Sequence, residues 1–104
     1  MVVLEQNSNN TFYLLVNNNY RLVSGVDEYE FRIIDDFKNK VKSVILEDLS
    51  LTNLFLEFDI TTTDNKSDED LLNDIVYFVD DKRYRYELCI NDVIIDTNFL
   101  LVKN

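Results

Sequence analysis

Cys89 is the single thiol of a 104-residue chain that contains no histidine. Those two facts remove much of the chemistry that side chains can do. Without an imidazole there is no Ser–His or Cys–His nucleophile and no histidine general base. One cysteine without histidine cannot assemble a zinc site of the usual kind. It closes no internal disulfide either, which favours a reducing compartment and predicts a cytoplasmic protein. Gly25 is the lone glycine, too few for a phosphate-cradling loop or a dinucleotide fingerprint. What remains in quantity is carboxylate. Twenty Asp and Glu face ten Lys and Arg, for a net charge of −10 and a pI near 4.2.

Several carboxylate patterns could in principle be catalytic. Asp36 and Lys38, and again Asp80 and Lys82, stand in the order Asp-x-Lys. Metal-dependent nucleases use such a pair on one strand face, with two carboxylates on Mg²⁺ and a cation orienting the attacking water. A chain this negative would repel the substrate of that reaction. Asp64, Asp68, Asp70 and Asp74 loosely resemble an oxygen-ligand calcium loop. The loop's glycine and distal bidentate glutamate are missing, and helix capping accounts better for the acids. Paired carboxylates for glycoside hydrolysis cannot be selected by spacing in so acidic a chain. By strand parity Cys89 lies on the outward face with Arg85 and Glu87, and a half-buried thiol is favoured over a reactive one. No catalytic residue, metal ligand or cofactor is assigned, and the chain is expected not to be an enzyme.

The acids read better as a binding surface. Asp27, Glu28 and Glu30 form one cluster; Asp64, Asp68, Glu69, Asp70 and Asp74 form the densest run, extended by Asp80 and Asp81. Such carboxylates can imitate the charge of a nucleic-acid backbone, so a protein built to grip phosphates would grip this one. The expected partner is a basic nuclease or other nucleic-acid-binding protein, held by electrostatic steering and then packing. Direct nucleic-acid or membrane binding is not expected, because the net field opposes both. The favoured function is a stoichiometric inhibitor, of the kind by which phage and plasmid proteins disarm defence nucleases or CRISPR effectors. An immunity protein against a cognate nuclease toxin is the alternative, and a non-inhibitory virion or interaction module the next. The seven Phe are assigned to the core and some of the six Tyr to interface anchoring. The lysines at 38, 40 and 42 and the basic run Lys82, Arg83 and Arg85 are expected to pair with local acids.

The elements that must position these residues follow from periodicity. The chain has no Ala, the best helix former, and is rich in Val, Ile, Thr, Phe and Tyr. Strands are expected over residues 11–16, 20–23, 28–34, 54–60, 83–90, 93–95 and 99–102. Asn17 to Asn19, Gly25 to Asp27, Asn91–Asp92 and Asp96 to Asn98 are read as turns or breaks, and residues 61–66 as the most loop-like, mobile stretch. Ser67 as N-cap, acids in the next turn and Leu71, Leu72, Ile75, Val76 and Val79 at helical spacing predict a helix over residues 68–78, with a strand over 75–79 as the rival. A second helix over 36–46 is balanced against a strand over 41–47. The expectation is one α+β domain over residues 1–104: an antiparallel sheet of five to seven short strands with one or two helices on one face. No signal peptide or apolar span long enough for a membrane is read. The charge makes a first testable statement. The pure protein is expected to leave a duplex DNA unshifted in a gel at physiological salt, and any shifted band overturns the electrostatic argument.

Overall fold

A computed structural model describes residues 1–15, 28–50 and 55–104. Among these lie eight strands: β1 (Val2–Glu5), β2 (Asn9–Leu14), β3 (Glu28–Asp35), β4 (Lys40–Glu47), β5 (Leu56–Thr63), β6 (Ile75–Tyr77), β7 (Arg83–Ile90) and β8 (Val93–Lys103). They form two sheets, a five-stranded one in the order β1-β8-β7-β3-β4 and a three-stranded one in the order β2-β5-β6. Most neighbours are antiparallel, but β1 runs parallel to β8 and β5 parallel to β6.

The cause is the period-two pattern. Tyr29, Phe31 and Ile33 on β3 alternate with Glu28, Glu30 and Arg32; Tyr84, Tyr86 and Leu88 on β7 alternate with Arg83, Arg85 and Glu87. Leu56, Phe58 and Ile60 on β5, with Phe12 and Leu14 on β2, form the facing layer. The two apolar faces close on each other and bury nearly every large inward residue. Phe12 packs against Phe31 of one sheet and Phe58 of the other, with ring centroids 5.5 and 5.8 Å away.

The chain passes from one sheet to the other between β1 and β2. Asn7 turns the corner at φ 57°, a conformation that Asn tolerates. Buried Gln6 donates from Nε2 to the Phe78 carbonyl and to Asp80 Oδ1, both at 2.8 Å. Thr62 Oγ1 donates to the Glu5 carbonyl at 2.6 Å. Sheet-to-sheet polar bonds thus pin the corner that the apolar faces alone would leave loose.

The architecture corrects the expected α+β fold: the described chain is nearly all β, in two sheets, with no helix packed on either. In place of a helix over 68–78 there are two 3₁₀ segments, Lys66–Asp68 and Leu71–Asn73, followed by β6. Asn65, not Ser67, caps the first, accepting from the Ser67 N–H. Asp70 and Ile75 then exchange two backbone bonds of 2.9 Å around a left-handed Asp74. Val76 and Phe78 are fully buried while Leu72 is 96% exposed, so the burial period here is two, not 3.6. The lysines at 38–42 belong to a β-hairpin: a turn closed by Asn39 at φ 53°, then β4, which was the rival to a second helix. Residues 61–63 belong to β5 and are not loop.

Other expectations fare differently. β7 matches the expected 83–90 strand. Asn91 and Asp92, at φ 49° and 65°, form the expected two-residue hairpin turn. The break expected at Asp96 to Asn98 is absent: β8 is one strand, and its pairing with β7 takes up one extra residue, Ile95, opposite the step from Leu88 to Cys89. β1 went unread, although Val2 and Leu4 alternate with Val3 and Glu5. The expected strand over 20–23 and the turns at Asn17–Asn19 and Gly25–Asp27 lie outside the described residues. Phe78→Ala is expected to cost about 3–5 kcal/mol by urea unfolding, and Leu72→Ala less than about 0.5 kcal/mol. A large loss at Leu72 instead would restore the helical reading.

Candidate functional site

The outward face of the three-stranded sheet is built by the residues that alternate with the core. From β5 it receives Glu57, Asp59 and Thr61, and from β2 Asn9, Thr11 and Tyr13. Thr11 Oγ1 donates to Asp59 Oδ1 across the sheet. Neither β2, β5 nor β6 contains a Lys or Arg. Asp64, Asp68, Asp70 and Asp74 follow from β5 onwards, and none of these six acids has an ion-pair partner among the described residues. Asp64 and Asp68 are exposed. Asp70 Oδ2 accepts from Asn73 at 2.7 Å. Asp74 is half-buried, and burial pushes its carboxyl above the ordinary aspartate value.

The other anticipated binding acids part company here. Asp80 and Asp81 lie in the turn before β7, at the same end as the β1–β2 corner. Asp80 accepts from Gln6, and the Asp64 N–H donates to Asn7 Oδ1 at 3.1 Å. Asp81 stands at φ 56° and its N–H donates to the Val102 carbonyl. Glu69 is committed to structure: it accepts from Lys42 Nζ at 2.7 Å and from the Tyr77 N–H at 2.9 Å, tying its segment to β4 and β6. Glu30 lies on the outward face of the other sheet. Arg32 and Ser43 both donate to it, and its bond to Arg32 holds its carboxyl below the ordinary glutamate value. Glu28 stands directly opposite Glu47 on β4, a like-charge pair that costs stability. Asp27 lies outside the described residues.

The two sheets therefore differ electrostatically. On the five-stranded sheet, Arg32 meets Glu30, Glu87 and Asp92 at 2.9, 3.9 and 3.2 Å, and Arg85 meets Asp36 and Glu87 at 3.2 Å each. The three-stranded sheet has no such ladder. Ten excess negative charges sit on a body with a radius of gyration of 13.3 Å. Acids without an ion pair among the described residues lie on both layers, Glu5, Glu28, Glu47 and Asp96 on the larger one included, but only the described strands of the smaller one lack a cation altogether.

The two Asp-x-Lys pairs are not paired internally. Asp36 is taken by Arg85, and Lys82 bonds Asp35. Among the described residues no cluster of three or more Cys, Asp or Glu could hold a metal ion, and no helix is long and apolar enough to cross a membrane. Cys89 does face outward by parity, opposite Glu30 and Ile94, but it is buried, and burial pushes its thiol up. That is the environment of an inert cysteine. No protein-family model, curated protein or solved structure matches the chain.

The Asp35–Lys82 pair sets a pH dependence. The bond to Lys82, helped by the Lys38 and Phe37 N–H groups, holds the Asp35 carboxyl below the ordinary aspartate value. A depressed folded pKa gives stability that is complete above the unfolded pKa, near 3.9, and that is lost as pH falls through the folded value. Asp35→Asn keeps an acceptor for the turn but removes the ion pair. Its melting temperature is expected to lie below the parent's at pH 7, with the gap closing as pH falls from about 5 to 3. A constant gap over that range refutes the ion-pair account.

Proposed function

We propose that the protein is a small inhibitory binding protein that occupies the phosphate-gripping surface of a basic, nucleic-acid-handling protein, acting by charge mimicry. The observation carrying this reading is the partition of charge. The described strands of one β-layer carry no cation, and its Glu57 and Asp59 continue into Asp64, Asp68, Asp70 and Asp74, none of them in an ion pair among the described residues. An acidic surface evolved for solubility alone would intersperse the two signs, as the five-stranded sheet does with Arg32 and Arg85. Strand residues two apart on one face project carboxylates at a fixed spacing of about 6.8 Å on a rigid support. A preorganised charge track loses little entropy on binding. Tyr13, 58% exposed and edge-on to Phe55 at 5.2 Å, supplies an amphipathic anchor beside the acids. The buried lone thiol suits a reducing cytoplasm, where defence nucleases and CRISPR effectors act.

The test is displacement of a fluorescent duplex from a panel of basic nucleic-acid-binding proteins, nucleases and CRISPR effectors included, followed by anisotropy. At least one member is expected to release its duplex stoichiometrically, with apparent affinity falling steeply between about 50 and 200 mM salt. Glu57→Lys with Asp68→Lys is expected to weaken displacement more than tenfold while the melting temperature moves by a few degrees. Glu5→Lys with Glu47→Lys, equal in charge but on the five-stranded sheet, is expected to act several-fold less. If the second pair is the more damaging, the interface lies on the other sheet. If neither pair nor salt changes displacement, or no member releases its duplex, charge mimicry is wrong.

A further inference from the structure

Five of the nine described cations have no carboxylate within ion-pair distance among the described residues: Lys38, Lys40, Lys66, Arg83 and Lys103. Arg83 instead covers the Phe99 ring at 4.0 Å. The three unpaired lysines at 38, 40 and 66 all line one cleft of about 250 Å³. In a protein with twice as many acids as bases, unpaired cations meeting at one cavity call for a physical reason.

The cleft forms where the inward face of β3 and β4 turns polar. There Ile33 pairs with Lys42 and Asp35 with Lys40. Its own two carboxylates are already spent: Asp35 is bonded to Lys82, and Glu69 to Lys42 and the Tyr77 N–H. Those same bonds brace the backbone that carries the free lysines. Asp35 Oδ1 accepts the Phe37 and Lys38 N–H groups at 3.1 and 3.2 Å, fixing the turn that bears Lys38. Asn65 caps the segment that bears Lys66, and Glu69 moors its end. Protection of an edge strand against aggregation would explain a lysine on β4. It does not explain Lys66, which reaches the cleft from a separate segment.

Half-buried Tyr77, with Lys42 Nζ 5.4 Å from its ring centre, and exposed Val79 supply the apolar lining, while Tyr84 is buried with Lys82 Nζ 5.3 Å from its ring centre. The Tyr84 hydroxyl accepts the Val79 N–H at 3.0 Å, and its own proton has no acceptor among the described residues. The volume lies below the roughly 300–1,000 Å³ of sites that enclose a drug-sized ligand. Of the nearest further acids, Asp36 is bonded to Arg85 and Asp68 shares the 3₁₀ segment of Lys66; acids beyond a Debye length of about 8 Å are screened.

We propose that this cleft binds a small organic phosphate of mononucleotide size or below, its phosphate held by Lys38, Lys40 and Lys66 and its organic body lying against Tyr77 and Val79. The site adjoins the acidic run, since Lys66 lies between Asp64 and Asp68, but its grip on phosphate uses none of those carboxylates and is tested separately.

The test is calorimetric titration of the full chain at about 50 mM salt with adenosine monophosphate and with its two halves, adenosine and inorganic phosphate. The nucleotide is expected to bind in the submillimolar range, at least tenfold more tightly than either half. Lys38→Gln with Lys66→Gln is expected to weaken it at least tenfold. Arg83→Gln with Lys103→Gln removes the same net charge elsewhere and is expected to change affinity less than threefold. Thermal melts of both variants report that the fold persists. Should the first pair unfold the chain, Lys66→Gln alone replaces it, with a severalfold loss expected. Phosphate binding as tightly as the nucleotide reduces the cleft to an unspecific anion patch and overturns the proposal. Equal losses in the two charge-matched variants, or no heat of binding from the nucleotide, overturn it too. Duplex displacement by the Lys38→Gln, Lys66→Gln variant is expected to match the parent's, which separates this site's failure from failure of the acidic face.

Discussion

The fold depends on aromatic contact across the space between the sheets. Phe12 on β2 meets Phe31 on β3 at 5.5 Å, and Phe58 on β5 meets Tyr29 on β3 edge-on at 5.6 Å, both across the gap; within the sheets Phe12 neighbours Phe58 and Phe31 stacks on Tyr86 at 5.2 Å. Each such ring removes about 150–250 Å² from water, and well-placed pairs add about 0.5–1.5 kcal/mol beyond that burial. A chain with no Trp and a single Met has few other ways to fill the space between two sheets. The large residues must therefore occupy alternate positions on long strands. That requirement makes the protein a sandwich and sends nearly every charge to an outer face or a turn.

Once the charges are outside, the two layers handle them differently. The five-stranded layer threads two arginines between its carboxylates, so its outer face is close to balanced. The described strands of the three-stranded layer have no cation to thread. Its carboxylates repel one another through water, and salt screens that repulsion without removing it. Glu28 opposite Glu47 adds a second uncompensated contact on the edge of the larger sheet. A domain of this size has little stability to spare, typically about 5–15 kcal/mol.

The strands were legible because they need only local information. Tyr29, Phe31 and Ile33 announce a half-buried strand in seven residues, and Arg83 to Ile90 does so with identical bounds. The failed helix had local information as well, but two patterns shared the same residues. Leu71, Leu72, Ile75, Val76 and Val79 fit a helical stripe; Val76 and Phe78 fit a strand. The parallel pairing of Thr61, Thr62 and Thr63 with Ile75, Val76 and Tyr77 decides between them, and nothing near residue 75 encodes it. The acids after Ser67 are favourable at a helix start, but here they flank 3₁₀ turns. The division into two sheets was likewise out of reach, since it rests on which strand pairs with which across the chain.

The same long-range pairing decides which charges are left free. Lys38 and Lys40 lie within five residues of Asp35 and Asp36, and local pairing was the natural expectation. Register works against it. Asp36 is claimed by Arg85 from β7 and Asp35 by Lys82 from the turn before it, 49 and 47 residues away in sequence. Lys42, alternating with Val41 and Ser43, turns inward to Glu69, 27 residues on. The neighbouring acids are thus consumed by distant cations, and the lysines between them keep their charge. A mirror of this occurs on β5, where Glu57 and Asp59 stay negative because the strands on either side bring no cation to them. Sequence composition set the surplus of negative charge; strand register determines both where it is uncompensated and where a cationic pocket survives inside it.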